Sequence, residues 1–279
     1  PDIGGGTDLG VNNHGQMAVY VRVAAGVNFS LRGIPLQSSG LPLNSGFVID
    51  AAPGCDPRPD ISPSGGSPLH WVVVWQAKSA VCTGGEVWLA ALNPSGVVLP
   101  AAVLETFGTV PRVFTQGRDS LITWQEATTN FAGDIACVLM QRSASGNVFT
   151  QIGPKVSLSD GEPGCPRAAD QTAGVIGFDG SRHTYAYMEN QRPKVACMFA
   201  GAGSYIPSEG HVALSSTTNA CGAAAITLVP TLASAARYAV VWQEDIGPRF
   251  EVRGAFYEAR QPGATVTTVA TACGAQGAL

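Results

Sequence analysis

Short apolar runs rich in β-branched residues recur along the chain, each closing on an aromatic residue and each set off by Gly-, Pro- and Ser-rich stretches. Five stand out: Met17-Ala-Val-Tyr20-Val-Arg22, Trp71-Val-Val-Val-Trp75-Gln-Ala77, Leu121-Ile-Thr-Trp124-Gln-Glu126, Thr184-Tyr-Ala-Tyr187-Met-Glu189 and Tyr238-Ala-Val-Val-Trp242-Gln-Glu244. Their length and composition predict strands, not helices. A proline precedes each run, at Pro1, Pro57, Pro111, Pro166 and Pro230. Phasing at those prolines gives repeats at residues 1–56, 57–110, 111–165, 166–229 and 230–279.

Each repeat carries further strand signals. A short segment such as Pro59-Asp-Ile-Ser62 comes first, and the aromatic-terminated run second. An alternating run follows, such as Glu86-Val-Trp-Leu-Ala-Ala-Leu92, Asp134-Ile-Ala-Cys-Val-Leu139, Lys194-Val-Ala-Cys-Met-Phe199 or Glu251-Val-Arg-Gly-Ala-Phe256. A turn at Ser39-Gly40, Ser95-Gly96, Ser145-Gly146 or Gly203 leads to a fourth strand such as Ala264–Val269. One four-stranded sheet has two faces to cover and cannot stand alone, whereas stacked copies cover each other and leave only short edges. The expectation is therefore an all-β chain forming one domain over residues 1–279, a five-bladed β-propeller of four antiparallel strands per blade. Tyr20, Trp75, Trp124, Tyr187 and Trp242 recur once per repeat, which predicts structural packing between blades.

The order of opening proline, Val-Val-Trp-Gln, Gly-(Asp/Glu)-(Ile/Val) and Ser-Gly resembles the tandem repeats of secreted bacterial β-propeller proteins. The likeness spans nearly the whole chain and is clearest in residues 57–98, 111–148 and 230–256. It implies a surface or secreted module with no shared catalytic residues, so it specifies a fold and leaves the activity open.

Charge narrows the partners. Charged residues make up 13% of the chain, the net charge is −4, and no basic run occurs. Nucleic acid and anionic membranes are thereby disfavoured. No apolar stretch approaches the roughly 18 to 20 residues of a membrane helix, and none reads as a signal peptide. Seven cysteines without paired zinc-ribbon spacing point to an oxidising compartment, extracellular, cell-surface or periplasmic. Connector and loop positions make Cys55–Cys82, Cys165–Cys197 and Cys221–Cys273 the expected disulfides and leave Cys137 unpaired.

Chemistry-bearing residues are few. Arg58, Arg112 and Arg167 follow opening prolines, while Glu126, Glu189 and Glu244 follow the second-strand runs. The third and fourth repeats contain both members, which predicts ion pairs Arg112–Glu126 and Arg167–Glu189, with the signs exchanged in Asp2–Arg22. A carboxylate held by arginine is tuned away from general-acid chemistry. Glu244 and the adjacent Asp245 remain as the acidic pair to weigh for glycoside hydrolysis. His14, His70 and His183 are expected at polar turn tips just before the second strands. No G-x-S-x-G elbow, phosphate loop or EF-hand loop occurs, and neither cofactor nor metal is expected.

The chain thus reads as a non-catalytic, lectin-like module that recognises glycans or cell-surface ligands. Its candidate contacts are the loops after the second strands, with Lys78, Asn130, Glu244 and Asp245. The alternative is a self-assembling structural subunit of a filament, surface layer or adhesin, and a glycoside hydrolase comes third.

Overall fold

The computed structural model describes residues 7–12, 15–24, 28–54, 57–64, 70–77, 85–126, 135–143, 148–157, 171–178, 182–189, 192–201, 204–213, 225–229, 237–245, 250–258 and 267–269. These residues form twenty strands in five four-stranded antiparallel sheets. The first sheet contains β1 (Thr7–Asn12), β2 (Gly15–Ala24), β3 (Asn28–Leu36) and β4 (Phe47–Asp50). The second contains β5 (Asp60–Ser64), β6 (His70–Ala77), β7 (Glu86–Asn93) and β8 (Gly96–Glu105). The third contains β9 (Gly108–Gln116), β10 (Asp119–Glu126), β11 (Ile135–Arg142) and β12 (Phe149–Ser157). In the fourth are β13 (Gln171–Phe178), β14 (Arg182–Glu189), β15 (Arg192–Gly201) and β16 (Ser204–Ala213). The fifth holds β17 (Ala225–Val229), β18 (Arg237–Asp245), β19 (Phe250–Glu258) and β20 (Thr267–Val269).

Within every sheet the strands lie in chain order, so each is a meander built from local hairpins. The chain divides into two compact units. One comprises Pro1–Ala132 and Ala136–Val156, the other Gly133–Ile135 and Ser157–Leu279. Apart from Ile135 and Ser157 at the ends of β11 and β12, sheets one to three belong to the first unit, and sheets four and five to the second.

In the first unit the opening strands stand side by side, β1 against β5 and β5 against β9. In the second, β13 stands against β17. The contact between β5 and β9 is polar and regular. Asp60 Oδ2 accepts from the Val113 amide at 2.6 Å, Ser62 Oγ from the Thr115 amide at 2.8 Å, and Ser64 Oγ donates to the Gly117 carbonyl at 3.0 Å. Alternate residues of a strand share one face, so Asp60, Ser62 and Ser64 act as one row. They satisfy backbone groups along the edge of the neighbouring sheet, of which the amides of the buried Val113 and Thr115 would otherwise lack partners.

The apolar core of this unit lies between sheets. Trp71, Val73 and Trp75 of β6 join Met17, Val19 and Val21 of β2 in one cluster. Val72 and Val74, on the other face of β6, join Val113, Ile122, Trp124 and Val138 in the next. Because β6 buries both faces, its sequence is a continuous apolar run, without polar alternation. Trp75 and Trp124 are packed between successive sheets and fully buried, and in the second unit Tyr187 and Trp242 are buried as well. Tyr20 is half-buried.

Two prolines flank Arg58, and strand register decides which one opens the second repeat. Asp60 pairs with Val74, the residue before Trp75, while Arg112 pairs with Thr123, the residue before Trp124. Pro59 is therefore the counterpart of Pro111, and Asp60 that of Arg112. Arg58 corresponds instead to Val110, and both adopt positive φ, +40° and +49°. The phase at Pro57 is thus two residues early. Pro111 itself lies inside β9, and β17 precedes Pro230, so the boundaries at 111 and 230 cut into a sheet's first strand and after it, respectively.

Positive φ is strained for a β-branched residue, and Val110 is held there by the side chain of Gln76. Gln76 is buried, its side-chain Oε1 accepts from the Val110 amide at 3.0 Å, and its backbone N–H donates to the Pro57 carbonyl at 2.7 Å. The glutamine of the recurring Trp-Gln pair thereby clamps the backbone at the entrance to its own sheet and to the next.

Candidate functional site

The ends of β4, β6 and β8 and the start of β7 gather side chains at the end of the first unit from which the sheet connectors enter. Trp75 and Trp88 face each other across β6 and β7. Their rings stack with centroids 6.2 Å apart and planes at 26°. Trp75 is fully buried and donates its indole N–H to Asp50 Oδ2 at 3.2 Å, across the gap between the first and second sheets. Trp88 is half-buried and donates to Glu86 Oε2 at 2.8 Å. Asp50 also caps the turn after β4 by accepting from the Ala52 amide at 2.9 Å. Two carboxylates are thereby fixed at the edges of a stacked indole pair. The exposed Val103 lies across from Trp88 on β8.

A register shift in the β7–β8 ladder places Glu105 opposite Val87 but Val103 opposite Trp88. Beyond this irregularity the end of β8 meets the third sheet. There Lys155 of β12 reaches Glu105 Oε2 at 2.9 Å and Glu126 Oε1 at 2.6 Å. Burial works against the charge of Glu105, but Lys155 and the amides of Thr106 and Phe107 outweigh it and hold the carboxyl below its ordinary range. Burial likewise opposes the charge of Lys155, and Glu126 and Glu105 together push its pKa up. A depressed carboxyl is a poor general acid. Beside this trio Phe107 is largely exposed.

The partner of Glu126 is therefore Lys155, and the expected Arg112–Glu126 pair does not form. Arg112 lies opposite Thr123, whereas Glu126 lies opposite Gly108, which separates them along the ladder. Arg167 and Asp2 lie outside the described residues, so the other two expected pairs do too. His70 opens β6 opposite Ser64, and His183 lies in β14 opposite Phe178. Both are buried strand residues and not turn tips, and His14 lies outside the described residues. Among the described residues no three His, Cys, Asp or Glu side chains come together as a metal site.

Of the candidate contacts, Lys78 and Asn130 lie outside the described residues. Glu244 and Asp245 end β18, where the register sets Glu244 opposite Glu251 and Asp245 opposite Phe250. The sequence does not by itself pair Glu244 with Glu251, the first residue of the alternating run 251–256. Trp88, Glu86 and Asp50 were also passed over. The signal was present: the position after Gly-Glu-Val is Trp88, whereas after Gly-Asp-Ile it is Ala136.

Cys137 is unbridged and buried in β11, on the face opposite Ala136 and Val138. Burial pushes its pKa up to about 12, so the thiol stays protonated and unreactive near neutrality. Cys55, Cys82, Cys165, Cys221 and Cys273 lie outside the described residues. Cys197 sits in β15 opposite Thr184.

No protein-family model matches the chain, and no curated protein does. Solved structures do resemble it. An α-L-arabinofuranosidase from Fusarium graminearum, in complex with an iminosugar inhibitor, aligns with a TM-score of 0.55 and 10% identity over 89% of this chain and 76% of that one. The six-bladed β-propeller lectin of Aleuria aurantia, described with a fucose recognition mode, aligns at 0.51 and 11% identity over 95% and 77%. The catalytic domain of an α-L-arabinofuranosidase from Coprinopsis cinerea scores 0.44 at 12% identity over 71% of this chain, which spans 63% of that domain. The first two likenesses give the fold, an all-β propeller type that serves both a hydrolase and a lectin.

Proposed function

We propose that the chain is a secreted, five-bladed, non-catalytic glycan-binding propeller, with a sugar site at Trp88 between the first and second sheets. The observation that carries this reading is the half-buried Trp88 with Glu86 and Asp50 fixed at the indole edges. A sugar offers an apolar C–H face and hydroxyl donors. An aromatic ring and carboxylates already oriented as acceptors match both. Phe107 beside Glu105 repeats the pairing of ring and carboxylate at the next gap. Several shallow sites of this kind gain affinity for a multivalent glycan surface. Lys78 and Asn130, which lie outside the described residues, are kept as proposed ligand contacts. The cysteine content supports placement outside the cytoplasm.

A hydrolase is the second reading, and the register of Glu244 opposite Glu251 favours it. The register makes the two acidic residues cross-strand neighbours, and paired acids acting on one glycosidic bond are the pattern of glycosidases. Fold alone does not choose between these readings.

A screen of the purified chain against immobilised oligosaccharides, with the bound sugar recovered and sized, separates them. Retention of intact sugar, weakened at least about tenfold by Trp88→Ala with the fold unchanged by circular dichroism, is the expected outcome. Shortened sugar would transfer the assignment to Glu244 and Glu251. Absence of binding to any glycan would remove both readings.

A further inference from the structure

The charge around the indole pair points to the class of sugar that fits. Asp50 and Glu86 each accept a hydrogen bond from a neutral indole N–H, and among the described residues neither carboxylate meets a cation. This contrasts with the next gap, where Glu105 and Glu126 share Lys155. Burial of Trp75 and stacking of Trp88 on it keep both carboxylates at one place on the surface. The π face of an indole attracts cations and repels anions, so the ring and the carboxylates act in the same sense.

We infer that the Trp88 site selects sugars by charge: amino sugars bind best, neutral sugars less well, and uronic or other acidic sugars are rejected. This rests on the glycan-binding reading of the same site. A protonated amine within a few ångströms of the carboxylates is worth about a tenfold gain near a protein surface, and a carboxylate on the ligand loses at least as much. The selection is electrostatic and therefore salt-dependent. At about 1 M salt, where the Debye length falls to about 3 Å, the preference should shrink toward unity.

Calorimetric titration of the chain with a glucosamine oligomer, a neutral glucose oligomer of equal length and a galacturonate oligomer tests this at about 10 mM and about 1 M salt. The expected order at low salt is amino, neutral, acidic, with about tenfold steps. In the doubly substituted Asp50→Asn, Glu86→Gln chain, one amide oxygen at each position can still accept from its indole, at the cost of the Asp50 contact to the Ala52 amide, and the three ligands should converge. An amino-sugar preference that survived the double substitution would reflect the overall negative charge of the chain and overturn the inference. Galacturonate binding as tight as the neutral oligomer would overturn it too, while leaving the glycan-binding reading in place. Failure of all three oligomers to bind, in a chain that binds no other glycan, would overturn both.

Discussion

Replacing Trp124 by alanine is expected to cost the chain about 3 to 5 kcal/mol, the loss typical of a large aromatic removed from a core. The ring is 1% exposed and belongs to the cluster that joins the second and third sheets. Its neighbours Val74, Val87, Ile122 and Val138 come from four strands of two sheets, so they cannot collapse into the space without moving a whole sheet. The indole nitrogen of Trp124 is buried without a hydrogen-bond partner among the described residues. The contribution is therefore one of packing, and Trp124→Phe should cost much less than the alanine change, since it also removes a buried donor that has no acceptor. Urea unfolding of the three proteins measures this. A Trp124→Ala loss below about 1 kcal/mol would mean that the ring does not hold the two sheets together.

Gly85→Ala is expected to be nearly as damaging, about 2 to 4 kcal/mol from overpacking and a lost hydrogen bond combined. A β-carbon on Gly85 would lie 2.5 Å from the carbonyl oxygen of Gly108 and 3.0 Å from Thr109 Cγ2. The obstacle is backbone, so no rotamer change relieves it. At this point the Gly108 amide donates to the Gly85 carbonyl at 2.8 Å, which ties the start of β7 to the start of β9 in the next sheet. Gly108 is equally confined, since its own β-carbon would meet Val87 and the Trp124 ring at 2.5 and 2.7 Å. The same unfolding experiment reads the effect. A change of under about half a kcal/mol would show that the two backbones can separate at little cost.

The five strand-rich repeats and their four-strand order were legible because the apolar runs, turns and alternating segments are local signals. Gly85 was legible too, as the first residue of a recurring Gly-(Asp/Glu)-(Ile/Val) motif. What the sequence leaves unwritten is register. Two prolines flank Arg58, and the choice between Pro57 and Pro59 follows only from the pairing of Asp60 with Val74. The same slip created the false equivalence of Arg58 with Arg112. Glu126 found its cation 29 residues further on, in an outer strand whose spacing from the aromatic run has no fixed value.

Gln76 was visible as a recurring residue, yet its role was missed, because a polar side chain at a strand end reads as solvated until the backbone it clamps is known. The candidate site was the least legible part. Repetition draws attention to the framework, and Trp88 is distinguished by departing from the repeat. Asp50 comes from a different sheet altogether, brought to Trp75 only by the packing of β4 beside β8.

Crystallography of the chain with the tightest oligosaccharide from the binding screen would locate the sugar. An intact sugar ring against the accessible part of Trp88, with hydroxyl or amino groups on Glu86 and Asp50, is the expected result. A sugar bound elsewhere with Trp88 uncovered, or a cleaved sugar beside Glu244 and Glu251, would contradict it.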